Sequence, residues 1–171
     1  MLLFIIALEH RGNYLALMQK FPQGQGVPDC IWYVGDTLYI SFEAKTEQTP
    51  GYSICISDVR QAQGHSNWIR ANRDCGPEAT ILCVIVTPRE QVAAEALPHG
   101  QELFRVGPDE VRKLAQTVVS VLRGIRSQTT PTDEQSMIKA IQEELVKRQL
   151  RVLDIIQRFS QQPLIKLPVV K

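Results

Sequence analysis

The chain has 171 residues, of which 44% are hydrophobic and 22% are charged, and its formal net charge at pH 7 is +1. This length and composition are ordinary for a soluble globular domain with a hydrophobic core and an appendage. The near-zero charge excludes a uniformly basic surface, so any affinity for nucleic acid must come from local patches and bound metal.

Apolar residues from about Leu3 to Lys20 recur at helical spacing and predict an N-terminal helix, with Glu9 beside its apolar stripe. The apolar start is too short to cross a bilayer and lacks the basic region and cleavage site of a signal peptide. It therefore predicts a cytoplasmic protein with no membrane contact. The glycine-rich composition of residues 21–27 predicts a loop that leads to Pro28-Asp29.

Two apolar runs, residues 30–34 and 38–42, flank a Gly-Asp-Thr sequence at 35–37 and predict a β-hairpin. The second run alternates, so its apolar side chains face one side of the strand. Glu43 and Lys45 face the other side, next to each other.

The register of this hairpin determines where Asp29 lies. A two-residue loop would point Asp29 to the wrong face, whereas a three-residue loop pairs Val34 with Leu38 and sets Asp29 opposite Glu43. A bulge near Asp29 would have the same effect. We expect one of the latter two arrangements, because each brings Asp29, Glu43 and Lys45 together.

These residue types suit a metal-assisted reaction. Two carboxylates on neighbouring strands, Asp29 and Glu43, with the backbone carbonyl of Ala44 between them, supply the hard oxygen ligands that Mg²⁺ or Mn²⁺ prefers. Lys45 and the metal would activate a water and neutralise charge that builds on a phosphate oxygen. The pattern indicates hydrolysis of a phosphate ester.

After a turn at Pro50-Gly51, residues 52–56 predict either a short strand or the lead into a helix. That helix begins with Ser57 as N-cap and continues to about Asn72. If its apolar face packs on the sheet, Gln61 supports the carboxylate site. Contacts to nucleic acid are then predicted from the polar and basic residues Arg60, His65, Arg70 and Arg73. The alternative for His65 is an ordinary position on a surface helix.

Residues 80–87 form a continuous apolar run rich in β-branched side chains, which predicts a central strand buried on both faces and an α/β core. Residues 103–106 predict an edge strand. Residues 109–122 predict a helix that covers the sheet and stops at Gly124.

The sequence predicts a core of residues 1–123, a linker of residues 124–132, and an appendage of residues 133–171. Apolar residues at alternating steps of three and four predict one long amphipathic helix to about Ser160, as in a coiled coil. Such a helix must fold back on the core, pair with a second copy, or dock on another protein through residues 133–160. The tail is either an edge strand or disordered.

The spacing of Pro28-Asp29 and Glu43-Ala44-Lys45, with thirteen residues between them, resembles the signature of the PD-(D/E)XK nucleases, the restriction-endonuclease-like superfamily. The triplet closes a predicted strand, the Pro-Asp opens the preceding one, and a helix carrying Gln61 follows, which is the order of elements in that family. The N-terminal part is similar to resolvase-like and Mrr-like members, in which a first-helix glutamate lies near the metal. Glu9 is the matching position, and its alternative is a solvated surface charge.

The resemblance covers about residues 1–125 and implies a restriction-endonuclease-like mixed β-sheet flanked by helices. It implies a metal-dependent nuclease with Mg²⁺ or Mn²⁺ as cofactor and a nucleic acid, expected to be DNA, as substrate. Asp29, Glu43, Lys45 and Gln61 are the implied catalytic residues. The alternative is a non-catalytic nucleic-acid-binding or assembly module that keeps this fold, or a subunit of a larger defence or repair machine.

Overall fold

The computed structural model describes residues 18–22, 24, 26–127 and 134–170. In chain order its strands are β1 Met18–Lys20, β2 Cys30–Val34, β3 Leu38–Ala44, β4 Ser53–Ile54, β5 Thr80–Val86, β6 Gln91–Ala93, β7 Leu103–Val106 and β8 Val169–Val170. Its α-helices are α1 Ile56–Asn72, α2 Pro108–Ser127, α3 Glu134–Lys147 and α4 Val152–Phe159. Short 3₁₀ helices cover Ala94–His99 and Leu164–Lys166.

The main sheet of the described chain has the strand order β1-β2-β3-β5-β7. Neighbours among β1, β2 and β3 are antiparallel, whereas β3, β5 and β7 are parallel, so the sheet is mixed. The predicted central strand is confirmed, because β5 lies between β3 and β7 and is buried from Leu82 to Val86. Strand β7 lies at the edge, as its sequence predicted. The α/β class is confirmed.

The hairpin has the predicted three-residue loop, because Val34 pairs with Leu38. This register continues to the open end of the hairpin, where the Asp29 amide donates a 3.0 Å hydrogen bond to the carbonyl of Phe42. Asp29 is therefore level with Glu43 on the neighbouring strand. A local feature of the sequence, the length of one turn, sets this alignment.

Helices cover both faces of the sheet. The face that carries Leu38, Ile40 and Phe42 packs against α2, α3 and α4 in the largest hydrophobic cluster. The opposite face of β3, which carries Glu43, packs against α1. The predicted alternation of β3 is confirmed, but its polar side is not solvated, because α1 covers it and leaves Glu43 only 1% exposed.

The end of the predicted N-terminal helix is a strand. Met18–Lys20 pair antiparallel with β2, so a helix cannot extend to Lys20. Pairing with β2 supplies partners for the outer backbone groups of the hairpin, which local helix periodicity does not take into account. The rest of that prediction, including Glu9, lies outside the described residues.

Two helix boundaries differ from those predicted. Helix α1 has Cys55 rather than Ser57 as its N-cap, and it ends at Asn72 as predicted. Helix α2 does not stop at Gly124 but continues to Ser127. Ile125 packs partly against the core, and this contact compensates for the weak helix propensity of glycine.

The C-terminal helical segment is confirmed but is divided into α3 and α4. Gln149 has a φ of 54°, a left-handed conformation that ends α3 before α4 begins. The apolar stripe on both sides of this break is buried against the sheet through Ile141, Leu145, Leu150, Ile155 and Phe159. The core of the same chain therefore covers the stripe. The turn at Gln149 changes the direction of the chain, and apolar side chains of both α3 and α4 pack in the same cluster against the sheet.

The tail ends in an edge strand, because after the 3₁₀ turn at Leu164–Lys166 strand β8 pairs in parallel with β6 of a second sheet, ordered β4-β6-β8 within the described residues. The alternative left open for residues 52–56 is also decided, because Ser53–Ile54 form β4. No helix of the described chain is long and apolar enough to cross a membrane.

Gly100 lies where the tail packs on the second sheet. A Cβ atom at this position would lie 2.7 Å from Cδ2 of Leu164, whose side chain is fully buried. We expect Gly100→Ala to lower the free energy of unfolding by about 1–3 kcal/mol through overpacking. The matched control is Gly64→Ala in α1, where a Cβ atom meets nothing within 4 Å. This substitution should raise the free energy of unfolding by up to about 1 kcal/mol, because alanine has the higher helix propensity. Urea denaturation measures both, and equal midpoints would contradict this packing.

Candidate active site

The residues of the predicted signature meet at the carboxyl end of β3. Lys45 Nζ lies 2.7 Å from Glu43 Oε1 and donates a 3.2 Å hydrogen bond to Gln61 Oε1 of α1. The Asp29 carboxylate accepts a 2.7 Å hydrogen bond from the amide of Ala44. The structure therefore brings Asp29, Glu43, Lys45 and Gln61 to one corner of the sheet.

Backbone pairing on both sides of β3 positions these groups. The amide of Lys45 donates a 2.8 Å hydrogen bond to the carbonyl of Val86, which extends the β3–β5 pairing by one residue. Asp29 and Ala44 are exposed, Lys45 is 25% exposed and Glu43 is buried. Solvent therefore reaches the corner from the side of Asp29.

The electrostatic environment of Lys45 favours its charged form. Partial burial on its own lowers the pKa of Lys45, but the hydrogen bond with Glu43 and the negative charges of Glu43, Asp58 and Asp29 outweigh burial and raise the pKa. Lys45 is therefore an ammonium at neutral pH. In this state its Nζ carries a positive charge and can donate hydrogen bonds.

His65 lies beneath Glu43 and not on a nucleic-acid-binding surface. Its ring is fully buried, and its Nε2 lies 3.2 Å from Glu43 Oε2. The predicted contact between His65 and nucleic acid requires an accessible side chain, which α1 does not provide because this face of the helix packs on β3. Lys45 and His65 instead approach the two oxygens of Glu43 from β3 and from α1.

The predicted basic contacts are dispersed along α1. Arg60 is exposed near the start of the helix, where its Nε donates a 3.3 Å hydrogen bond to His99 Nε2. Arg70 donates to the carbonyl of Ala79, just before β5 begins. Arg73 follows the last turn of α1. Arg70 and Arg73 therefore lie near the amino ends of the parallel strands β3 and β5. Glu43 lies at the carboxyl end of β3, on the opposite side of the sheet along the strand direction.

A polar network beside Lys45 was not predicted as part of the site. The carboxylate oxygens of Asp58 lie 4.0 Å from Lys45 Nζ and 4.0 Å from Arg89 Nη1. Gln48 Nε2 donates a 2.7 Å hydrogen bond to Asp58, and Gln48 Oε1 accepts a 2.9 Å hydrogen bond from Thr87. Asp58 is therefore a buried carboxylate held between two cations.

Two signals in the sequence could have indicated this network. Asp58 lies three residues before Gln61, so that the two side chains lie on the same face of α1. Thr87 and Arg89 directly follow β5, and the carboxyl ends of neighbouring parallel strands lie at the same edge of a sheet. They were missed because the sequence does not specify which strands are parallel neighbours.

No protein-family model, curated protein or solved structure matches the chain. The similarity of its sequence to the PD-(D/E)XK signature therefore stays a prediction. A functional assignment depends on the geometry and chemistry of the site.

The oxygen atoms of this corner suit a hard divalent cation. The Glu43 carboxylate is buried, with Oε1 2.7 Å from Lys45 Nζ and Oε2 3.2 Å from His65 Nε2. Asp29 is exposed and level with Glu43 on the neighbouring strand, and its carboxylate accepts a hydrogen bond from Ala44, the last residue of β3. Within the described ranges, no group of three or more His, Cys, Asp or Glu side chains is arranged to hold a metal. The fit therefore rests on two carboxylates, a backbone carbonyl and water, a ligand set that Mg²⁺ accepts.

Proposed function

We propose that the chain is a metal-dependent nuclease that hydrolyses phosphodiester bonds in DNA with Mg²⁺ or Mn²⁺. The observation that supports this most directly is the convergence of Asp29, Glu43, Lys45 and Gln61 at the end of β3. Two carboxylates, an ammonium and an amide on three separate elements form this corner. A purely structural ion pair between Glu43 and Lys45 would not require the exposed carboxylate of Asp29 at the same corner.

Each residue has a distinct role in this proposal. Asp29, Glu43 and the carbonyl of Ala44 would hold the metal, which when bound supplies a Lewis acid for the phosphate and its attacking water. Lys45 would donate a hydrogen bond to the water or to a phosphate oxygen and so stabilise the charge of the transition state. Gln61 would keep the ammonium of Lys45 in place.

The substrate would approach from the exposed side of the corner, where Asp29 lies. On its other side Glu43 is covered by α1, with His65 beneath it. Arg60 is accessible and stays a candidate for contact with the DNA backbone. Arg70 and Arg73 would contact DNA only if the duplex or strand extended along α1.

The test is metal-dependent cleavage of a panel of single-stranded, duplex and branched DNA and RNA, with Asp29→Asn compared with the wild type. We expect wild-type cleavage of DNA with Mg²⁺ or Mn²⁺, and at least about a 100-fold lower rate in the variant, because an amide cannot supply the anionic ligand. The asparagine oxygen can still accept the hydrogen bond of Ala44, so the fold should be retained. Asp36→Asn, at the exposed opposite end of the same hairpin, is the matched control.

Isothermal titration with Mn²⁺ separates metal binding from turnover. Asp29→Asn should lose metal affinity, and Asp36→Asn should not. DNA binding by the wild type without cleavage in either metal would contradict the nuclease and favour the non-catalytic module. Cleavage of RNA but not DNA would support phosphodiester hydrolysis and would show that the substrate is RNA.

A further inference from the structure

Tyr52 is an exposed aromatic side chain beside the candidate active site. It is 64% exposed and lies in the connection between Lys45 and β4. The guanidinium of Arg89 lies 5.9 Å from the centroid of its ring. An accessible tyrosine held next to an arginine offers a surface on which a nucleobase can stack.

Arg89 is held in position by the protein. Its Nη1 donates a 2.8 Å hydrogen bond to the carbonyl of Ser53 and lies 4.0 Å from Asp58 Oδ2. The side chain is 18% exposed, so its charge is partly accessible. A guanidinium whose orientation is already set loses less entropy when it binds a phosphate.

Asp58 connects this pair to the proposed catalytic corner. The two oxygens of its carboxylate lie 4.0 Å from Arg89 and 4.0 Å from Lys45, so a single carboxylate separates the two cations. A phosphate held near Lys45 would therefore have a neighbouring phosphate or nucleotide near Arg89. Tyr52 is then within reach of the base of that neighbouring nucleotide.

We propose that Tyr52 and Arg89 form a binding subsite for one unpaired nucleotide next to the phosphate at Lys45, with its base stacked on Tyr52 and its phosphate near Arg89. The position of this subsite relative to the cleaved bond rests on the proposed function, whereas binding of a nucleotide to the subsite requires no turnover. In an intact duplex both faces of a base are stacked on neighbours and cannot meet Tyr52. The substrate class is therefore single-stranded DNA, or a single-stranded segment of a branched DNA.

The test measures binding without added metal, so that cleavage does not interfere. Fluorescence anisotropy with a labelled single-stranded oligonucleotide is compared with the same sequence as a duplex. Tyr52→Ala should weaken single-strand binding about 5- to 150-fold, the range for loss of one stacked base, and leave duplex binding nearly unchanged. Tyr52→Phe keeps the ring and should retain single-strand affinity. Leu153→Ala, at a 73% exposed position on α4, is the surface control.

Arg89→Met provides a second readout. It should weaken single-strand binding and lower the slope of log affinity against log salt by about one, as expected for one lost phosphate contact. A melting curve checks the fold of this variant, because Arg89 also anchors Ser53. An unchanged salt slope in a folded Arg89→Met variant would overturn its phosphate contact.

The outcomes for Tyr52 separate the two proposals. An unchanged affinity in Tyr52→Ala, or equal losses for single strand and duplex, would overturn the subsite, as would a wild type that binds neither DNA. A selective loss in Tyr52→Ala that Tyr52→Phe restores would support the subsite, even if the wild type failed to cleave with Mg²⁺ or Mn²⁺. That failure would count against the nuclease alone.

Discussion

Lys45→Met should lower the rate of metal-dependent DNA cleavage by about 10²–10³-fold, the usual effect of removing one preorganised donor from a charged transition state. Methionine is similar to the lysine side chain in length but carries no charge and cannot donate to the water or the phosphate. Lys45 is positioned for this role by Glu43 at 2.7 Å and Gln61 at 3.2 Å. Single-turnover cleavage at saturating Mg²⁺ measures the effect on the chemical step.

The matched control for this substitution is Lys113→Met. Lys113 also pairs with a glutamate, Glu110 at 2.9 Å, but it lies on the exposed surface of α2. This variant should cleave at the wild-type rate. Mn²⁺ titration of Lys45→Met should still show binding, because the carboxylates of Asp29 and Glu43 remain. A Lys45→Met protein that is folded, binds metal and cleaves normally would contradict the proposed role of the ammonium.

Phe159→Ala should produce the largest loss of stability, about 3–5 kcal/mol. Phe159 is fully buried at the end of α4, and its ring packs edge-on against two other aromatic rings. Its ring centroid lies 5.3 Å from that of Phe42 and 5.6 Å from that of Trp32. Removing the ring leaves a cavity between the C-terminal helix and the hairpin. Urea denaturation, followed by circular dichroism, measures the change in the free energy of unfolding.

Leu153→Ala is the control on the same helix, because Leu153 is largely exposed. It should change the free energy of unfolding by less than about 0.5 kcal/mol. A similarly small effect of Phe159→Ala would mean that α4 does not belong to the core. Since Phe42 precedes Glu43 on β3, the packing of Phe159 on one face also supports the candidate site on the other.

The sequence could predict the hairpin and the polar corner at its open end because both depend largely on local rules. The alternation of β3 placed Glu43 and Lys45 on one face, and the three-residue loop was one of two arrangements expected because they bring Asp29 to these residues. The pairing of Val34 with Leu38 confirms the three-residue loop. The apolar run at 80–87 likewise identified the central strand. Gln61 was predicted on the helix that follows the strand of Glu43, and its Oε1 accepts a hydrogen bond from Lys45.

The errors arise where distant parts of the chain meet. His65 was predicted at a nucleic-acid-binding surface, but docking of α1 on the sheet buries it beneath Glu43. The C-terminal stripe predicted one continuous helix, yet the chain turns at Gln149 between α3 and α4. Residues on both sides of the turn pack in the same cluster, so the apolar pattern continues across it. Spacing along the sequence does not reveal a turn that preserves the apolar pattern.

By itself the sequence determined the α/β class, the hairpin and the face of β3 that carries Glu43 and Lys45. These follow from turn length and residue alternation, which act over a few residues. Only the tertiary structure decided that Asp58 and Arg89 lie beside Lys45, and that the C-terminal helices cover the sheet. The physical reason is that parallel strand pairing and helix docking join residues far apart in the chain, so that burial of apolar surface, rather than any local pattern, selects their neighbours.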